Sequence, residues 1–174
     1  RDNRDTRRPV ELQEVAELAK VAWRQVATVV EVFRQEGRNF LTPPLGQELT
    51  PENLLDISHE SLIRQWQRLQ TWVKAEAESA EVYRRLEDSA RRWEKGQTRL
   101  WGTPDLERAQ TWRKCEQPTV LWAKRYGANQ GEFFGLAMKF LEESEREQQR
   151  ARQERELEQQ RTWRLKSRLG WALG

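Results

Sequence analysis

The sequence is poor in the residues that most site chemistries need. Its 174 residues include one cysteine, Cys115, so no intrachain disulfide can form. The single histidine, His59, with that one cysteine cannot supply the usual zinc-ligand spacings. No apolar run approaches the ~20 residues that cross a bilayer, and mean hydropathy is -1.01. No signal-peptide pattern of basic, apolar and small-residue regions is present. No G-x-x-x-x-G-K-[ST] loop occurs, so nucleotide hydrolysis is not centred in this sequence. No G-x-S-x-G elbow occurs either. Ser58, His59 and Glu60 carry triad letters, but consecutive residues cannot converge on one reacting atom. The expectation is therefore no enzyme, no catalytic residues, no metal and no cofactor within this segment. Charge of one sign is lacking too. Lys plus Arg total 31 and Asp plus Glu 28, a net charge of +3. That balance points to solvated, salt-bridge-laced helices more than to a polyanion binder.

What is abundant is tryptophan, nine residues in all. Each can bury ~150–250 Å², so these rings are expected to supply much of the core, with Trp66 and Trp93 among them. The only methionine is Met138 and the first residue is Arg1, which reads as a piece of a longer protein.

Residues 1–8 are polar and basic. Pro9 opens a helical pattern that includes Val10, Leu12, Val15, Ala16, Leu18 and Ala19. A second helix is expected over 22–36, from the stripe Val26, Val29, Val30 and Phe33, with Gly37 as its stop. The period then changes. Phe40-Leu41 and Leu54–Ile57 read as two short strands joined by a loop holding Pro43, Pro44 and Gly46. Two helices followed by a hairpin form the tail of a winged helix-turn-helix whose first helix would precede the sequence.

Ser58 is a candidate N-cap for the next helix, with a carboxylate in its first turn at Glu60. One stripe runs from Leu62 through Trp66, Leu69, Trp72 and Val73 to about Glu78. A separate helix is expected for Tyr83, Leu86, Ala90 and Trp93, ending before Gly96. Pro104-Asp105 starts another, Pro118 a short one, and a long one follows Gly131 with Phe134, Ala137, Phe140 and Leu141. From Glu142 to Arg161 the only apolar residues are Ala151 and Leu157, the mark of a solvent-crossing spacer. The expected class is mainly α: a truncated winged helix-turn-helix with a short β-hairpin over 1–58, a Trp-rich helical domain over 59–141, and a polar helical connector over 142–168. A following element would begin at 169–174.

The string of most interest is DISHESLIRQW, residues 56–66. Locally it is a strand that ends in a capped helix. A helix N-terminus also offers free N–H groups and a positive dipole end to an anion. His59 stands there, and an imidazole can add a hydrogen bond to a phosphate.

The segments RRPVELQEVAE, VVEVFRQEGRNFL and LLDISHESLIRQWQRLQTWVKAEAESAEVYRRLEDSARRW resemble the STAND NTPases, the signal-transduction ATPases with numerous domains. The likeness is to their bacterial branch, whose members often carry WD-repeat propellers, and it continues through PDLERAQTW and PTVLWAKRY to about residue 143. The resemblance implies a P-loop NTPase domain upstream in the same chain, sensor repeats or another module downstream, and ATP or ADP bound in the parent protein. It implies a cytoplasmic signalling switch. In related plant immune receptors and apoptotic ATPases the winged helix ends in Met-His-Asp, whose His reads the nucleotide's β-phosphate. Ser58-His59-Glu60 matches that string in place, with Ser for Met and Glu for Asp. By this resemblance His59 is the phosphate sensor; Arg64 is read as an i+4 partner of Glu60.

Two other functions fit the pattern. A DNA-binding winged helix would lay residues 22–36 in the major groove and offer Arg24, Gln25, Thr28, Arg34 and Gln35. Glu31 and Glu36 on that helix oppose phosphate, and nucleic acid is not the expected partner. The arm Arg1, Arg4, Arg7 and Arg8 would reach a backbone, or else is a solvated linker. A purely structural spacer is the third reading. The tryptophan gaps are uneven, so no repeat period holds, and the last helix lacks the apolar heptad of a coiled coil.

Overall fold

A computed structural model describes residues 9–59 and 65–170, with side chains through Lys166. The arm Arg1 to Arg8, the helix start from Glu60 to Arg64, and residues 171–174 of the expected following element lie outside the described residues. The chain is mainly helical and divides into two units, Arg1–Glu78 and Ser79–Gly174.

The first unit opens with β1 (Val10–Glu11), followed by α1 (Leu12–Ala19), α2 (Trp23–Arg34), β2 (Leu41–Thr42) and β3 (Leu54–Ile57). The strands form an antiparallel sheet in the order β1-β3-β2. Val10 pairs with Leu55, and Leu41 pairs with Ile57. The helical pattern read from Pro9 is thus corrected at its start: Val10 and Glu11 are strand. Their backbone bonds go to β3, and the N–H groups of Leu12 and Gln13 donate to the carbonyls of Asn53 and Pro51 at 2.9 Å each. Those bonds satisfy two of the donors that a helix start leaves without intrahelical partners. α1 closes on Lys20 in the left-handed conformation, its N–H returning to Ala16 and Glu17. Leu12, Val30, Leu49 and Leu55 form the core, with Val10, Val15, Trp23, Val26, Ala27 and Leu41 packed around it.

Arg34, at the end of α2, is also buried, with 1% of its surface exposed. Its Nη1 donates to Glu31 Oε1 at 2.9 Å, and its Nη2 donates to the carbonyl oxygens of Pro44 and Gln47. A guanidinium carries five donors in a fixed fork and is the side chain suited to tying several acceptors at once. Here it fastens the proline-containing loop between β2 and β3 to the helix.

α3 runs from Gln67 to Glu94 as one helix. The two helices expected over this stretch are one, because no glycine or proline lies between those residues to end the first. The unit boundary falls within it. The second unit continues with α4 (Asp105–Glu116), α5 (Val120–Tyr126), a 3-10 turn (Ala128–Gly131) and α6 (Phe134–Gly170). Its core is Tyr83, Leu86, Ala90, Leu106, Ala109, Trp112, Ala123, Ala137, Phe140 and Leu141. The rings interlock. Tyr83 lies 6.1 Å from Trp112 and 5.6 Å from Trp122, and Phe140 lies 5.4 Å from Trp101 and 5.7 Å from Trp93. Such pairs add ~0.5–1.5 kcal/mol beyond their burial.

The polar atoms inside this core are mostly paired. Trp112 Nε1 donates to Ser79 Oγ at 2.7 Å. Ser144 Oγ accepts from the Trp101 N–H at 3.0 Å and donates to the Phe140 carbonyl at 2.8 Å. Glu87, also buried, accepts the Ala128 N–H at 2.9 Å and so anchors the turn before α6. Gly127 is required there, because a Cβ would sit 2.8 Å from Tyr83 Cε1 and 3.1 Å from Glu87 Oε2.

α6 is a single helix through what sequence reading separates into a domain helix and a connector. Its first three turns pack in the core, while every described side chain from Arg152 to Lys166 is exposed. The tryptophans divide likewise. Trp112 is buried and Trp93, Trp101 and Trp122 pack against the core. Trp66, Trp72 and Trp163 are exposed. The expectation that Trp66 is core is therefore overturned.

Candidate functional site

β3 ends at Ile57, and the chain stays tied to the sheet for one residue more: the Ser58 N–H donates to the Phe40 carbonyl at 3.0 Å. His59 is the next residue. Its backbone is therefore placed just past the end of the central strand, and its side chain is exposed. An exposed imidazole has both ring nitrogens available, one as donor and one as acceptor when neutral, both as donors when protonated. Ser58 as N-cap, Glu60 and Arg64 depend on the helix start at 60–64, which lies outside the described residues. Among the described residues no group of three His, Cys, Asp or Glu is placed to hold a metal. No described helix is long and apolar enough to cross a membrane.

Of the residues proposed for DNA, Arg24, Gln25, Thr28 and Gln35 are exposed and Arg34 is buried. Arg24 is exposed, its guanidinium 5.1 Å from the Trp23 ring. Thr28 Oγ1 donates to the Arg24 carbonyl at 2.9 Å, and Gln25 Oε1 accepts the Ala22 N–H at 3.2 Å, so both serve their own helix. Arg34 is a correction. It points inward, its terminal nitrogens are used by Glu31 and the β2–β3 loop and its Nε is buried without a partner, so it offers nothing to a phosphate or base. The helical period carries the reason: Arg34 lies four residues after buried Val30, on the core-facing side. The exposed side of the helix also carries Val29 (57%) and Val32 (42%). An exposed pair of valines has no part in phosphate contact.

Sequence reading passed over Glu87. Its only sequence signal is a carboxylate at i+4 from Tyr83, on the face that the apolar stripe assigns to the core. Burial and the nearby Glu87 carboxylate together push the Tyr83 phenol above its ordinary range, and its hydroxyl has no hydrogen-bond partner. These two groups are enclosed by the second unit's own helices and build its interior. They are not a site open to a ligand.

Searches of curated proteins and of solved structures find no match. A family model does match. Residues 1–100, which hold the sheet, α2, His59 and the whole of α3, match the description novel STAND NTPase 1. The match covers more than half of the sequence and takes in the segment with the exposed histidine, and on it the chain belongs to the novel STAND NTPase 1 family of STAND NTPases.

Proposed function

We propose that this chain is the regulatory and relay segment of a cytoplasmic STAND-type signalling NTPase, coupling the nucleotide state of an upstream P-loop domain to downstream sensor or effector modules. The sheet order β1-β3-β2 and the loop between β2 and β3 support a winged-helix reading of residues up to 58. The observation that carries the proposal is the placement of His59: exposed, one residue past the last sheet bond, inside the family match.

The residue fits a phosphate in chemistry, since an exposed imidazole can donate to an anionic oxygen. The adenine nucleotide of the parent would supply that anion. This segment then contributes the donor and the lever, and the P-loop domain contributes the hydrolysis. His59 holds the diphosphate state; losing that contact frees the winged helix to change position. A ligand shifts such an equilibrium only by contacting the two states differently. A hydrogen bond to a charged group contributes ~1–3 kcal/mol, equivalent to roughly a 5- to 150-fold change in the ratio of states.

The test is His59→Ala in the full-length protein. ADP should dissociate faster by a factor in that range, and basal signalling should rise. An unchanged ADP off-rate overturns the assignment. The thermal unfolding of the isolated chain should stay the same, which separates lost sensing from lost folding. DNA binding receives less support, because Arg34 is buried and the outward face of α2 carries valines.

A further inference from the structure

α6 has a root and an arm. In the root, Ala137, Phe140 and Leu141 are buried in the core. The next two turns are gripped by polar contacts. The Trp101 N–H donates to Ser144 Oγ, Arg113 Nη2 donates to Glu145 Oε1 at 2.6 Å, and Gln148 Nε2 donates to Thr103 Oγ1 at 3.1 Å. These six positions fall at the helical spacing of one face, so both the direction and the axial rotation of α6 are set by α4 and the loop before it. In the arm, every described side chain from Arg152 to Lys166 is exposed, yet the backbone stays helical to Gly170. Neither glycine nor proline occurs between Gly135 and Gly170. Arg152 Nε donates to Glu156 Oε1 at 2.9 Å, one turn on. The packed root also removes the cost of starting a helix, which is what makes isolated helices marginal. At ~1.5 Å per residue, the arm from 152 to 170 is about 28 Å long.

We propose that α6 is a rigid lever, which delivers the orientation of the second unit to whatever follows residue 170 as a displacement and a rotation. Its length in whole helical turns carries the signal, and the identity of its exposed side chains does not. The arm buries too little to be a stability element, and a helix polar all round is the form that bridges solvent. A tilt of about 10° at the root moves the far end by roughly 5 Å, given the length that the helical rise sets. A flexible tether of the same residues would pass on neither tilt nor rotation. The lever rests on the relay reading of the chain, and it specifies how that relay is made.

Rigidity is tested first in the intact chain. Spin labels are placed by Arg146→Cys and Arg164→Cys, with the exposed Cys115 removed as Cys115→Ser. The two labels stand on the same face about five turns apart, so pulsed spin-resonance distances should give one narrow peak near roughly 27 Å. Replacing residues 154–157 by Gly-Ser-Gly-Ser should broaden it. A broad distribution in the parent overturns the lever. Coupling is then tested in the full-length protein by inserting helix-forming residues between Gln153 and Glu154. Seven residues restore the direction of the arm to within ~20°, whereas two rotate it by about 200°. The readout is the ADP off-rate, because coupling between two sites is reciprocal. The seven-residue insertion should leave that rate unchanged, while the two-residue insertion and the Gly-Ser replacement should each shift it at least roughly fivefold. Equal effects of the two insertions overturn the lever in favour of a tether. Glu154→Ala with Glu158→Ala keeps the helix and should change nothing; a shift as large as that of the two-residue insertion makes the arm a contact surface and overturns the lever. A rate indifferent to every insertion but changed by His59→Ala overturns the lever and leaves phosphate sensing intact. Phase dependence that persists where His59→Ala is silent supports the lever and removes the sensor.

Discussion

The unit ending at Glu78 and the unit beginning at Ser79 are held together by different material. The first has a small aliphatic core of Leu12, Val30, Leu49 and Leu55, and it spends a buried cation, Arg34, on fixing a loop. The second packs ring on ring around Tyr83, Trp112 and Phe140, with serine hydroxyls taking up the buried donors. Where apolar side chains are few, directed hydrogen bonds from one guanidinium position a segment that hydrophobic contact alone would leave loose. Where aromatic area is plentiful, burial dominates, and a partnerless hydroxyl such as that of Tyr83 is tolerated inside.

The comparison breaks first at Phe140. Replacing it by Ala should cost ~3–5 kcal/mol, as for a fully buried ring, and should lower the denaturation midpoint of the second unit. A loss under ~1 kcal/mol would show that the aromatic core is misplaced. Arg34→Ala comes next. Glu31 is nearly half exposed, so the ion pair itself contributes little. The cost comes from the orphaned carbonyls of Pro44 and Gln47 and should be about 2 kcal/mol. That loss should be confined to the first unit, seen as faster amide exchange over 45–48. Unchanged exchange there would refute the clamp.

Trp66→Ala should cost less than ~1 kcal/mol in a denaturant titration, since its ring is not enclosed. A loss near that of Phe140→Ala would return it to the core. Tyr83→Phe should have the smallest effect near neutrality, within ~0.5 kcal/mol, because the removed hydroxyl makes no hydrogen bond. Its signature is at high pH. The fold raises the Tyr83 pKa, so it favours the neutral phenol. The unfolded phenol ionises near its ordinary value of about 10. The stabilisation is therefore complete below that value and is lost as pH rises from it through the folded value. Titrations at pH 8 and pH 11 should show a smaller alkaline loss for Tyr83→Phe than for the parent. Equal losses would remove Tyr83 as the cause.

The helix breakers and caps made most of the element order legible. Gly37, Gly96, Pro104, Pro118 and Gly131 each stand near an observed boundary, and Phe40–Ile57 holds the expected strand pair. The exceptions share a cause. Two-residue β1 carries no visible alternation, and Val10 also fits the helical stripe that follows, so only its pairing with Leu55 identifies it as strand. The break expected near Glu78 rested on a change of stripe composition, which does not end a helix without a breaker. For the candidate site, His59 could be singled out as the lone histidine at a strand's end. Whether it was enclosed or open could not, because burial depends on neighbours distant in sequence.

By itself the sequence determined the mainly helical class, the polar stretch of the last helix, the absence of a P-loop, and the motif order that leads to the family. These rest on local period, on composition and on residues that must be present for a given chemistry. The tertiary structure alone decided which equally hydrophobic residues are used. Trp66, just before α3, and Trp93, near its end, have the same apolar chemistry, yet Trp93 packs against the core beside Phe140 while Trp66 stays exposed with its ring against Trp72. Arg24 and Arg34 share α2, yet one stays in solvent and the other turns inward to carbonyls 10 and 13 residues further along the chain. A side chain's period fixes the direction in which it points; what waits there to cover it is settled by contacts between segments far apart in sequence.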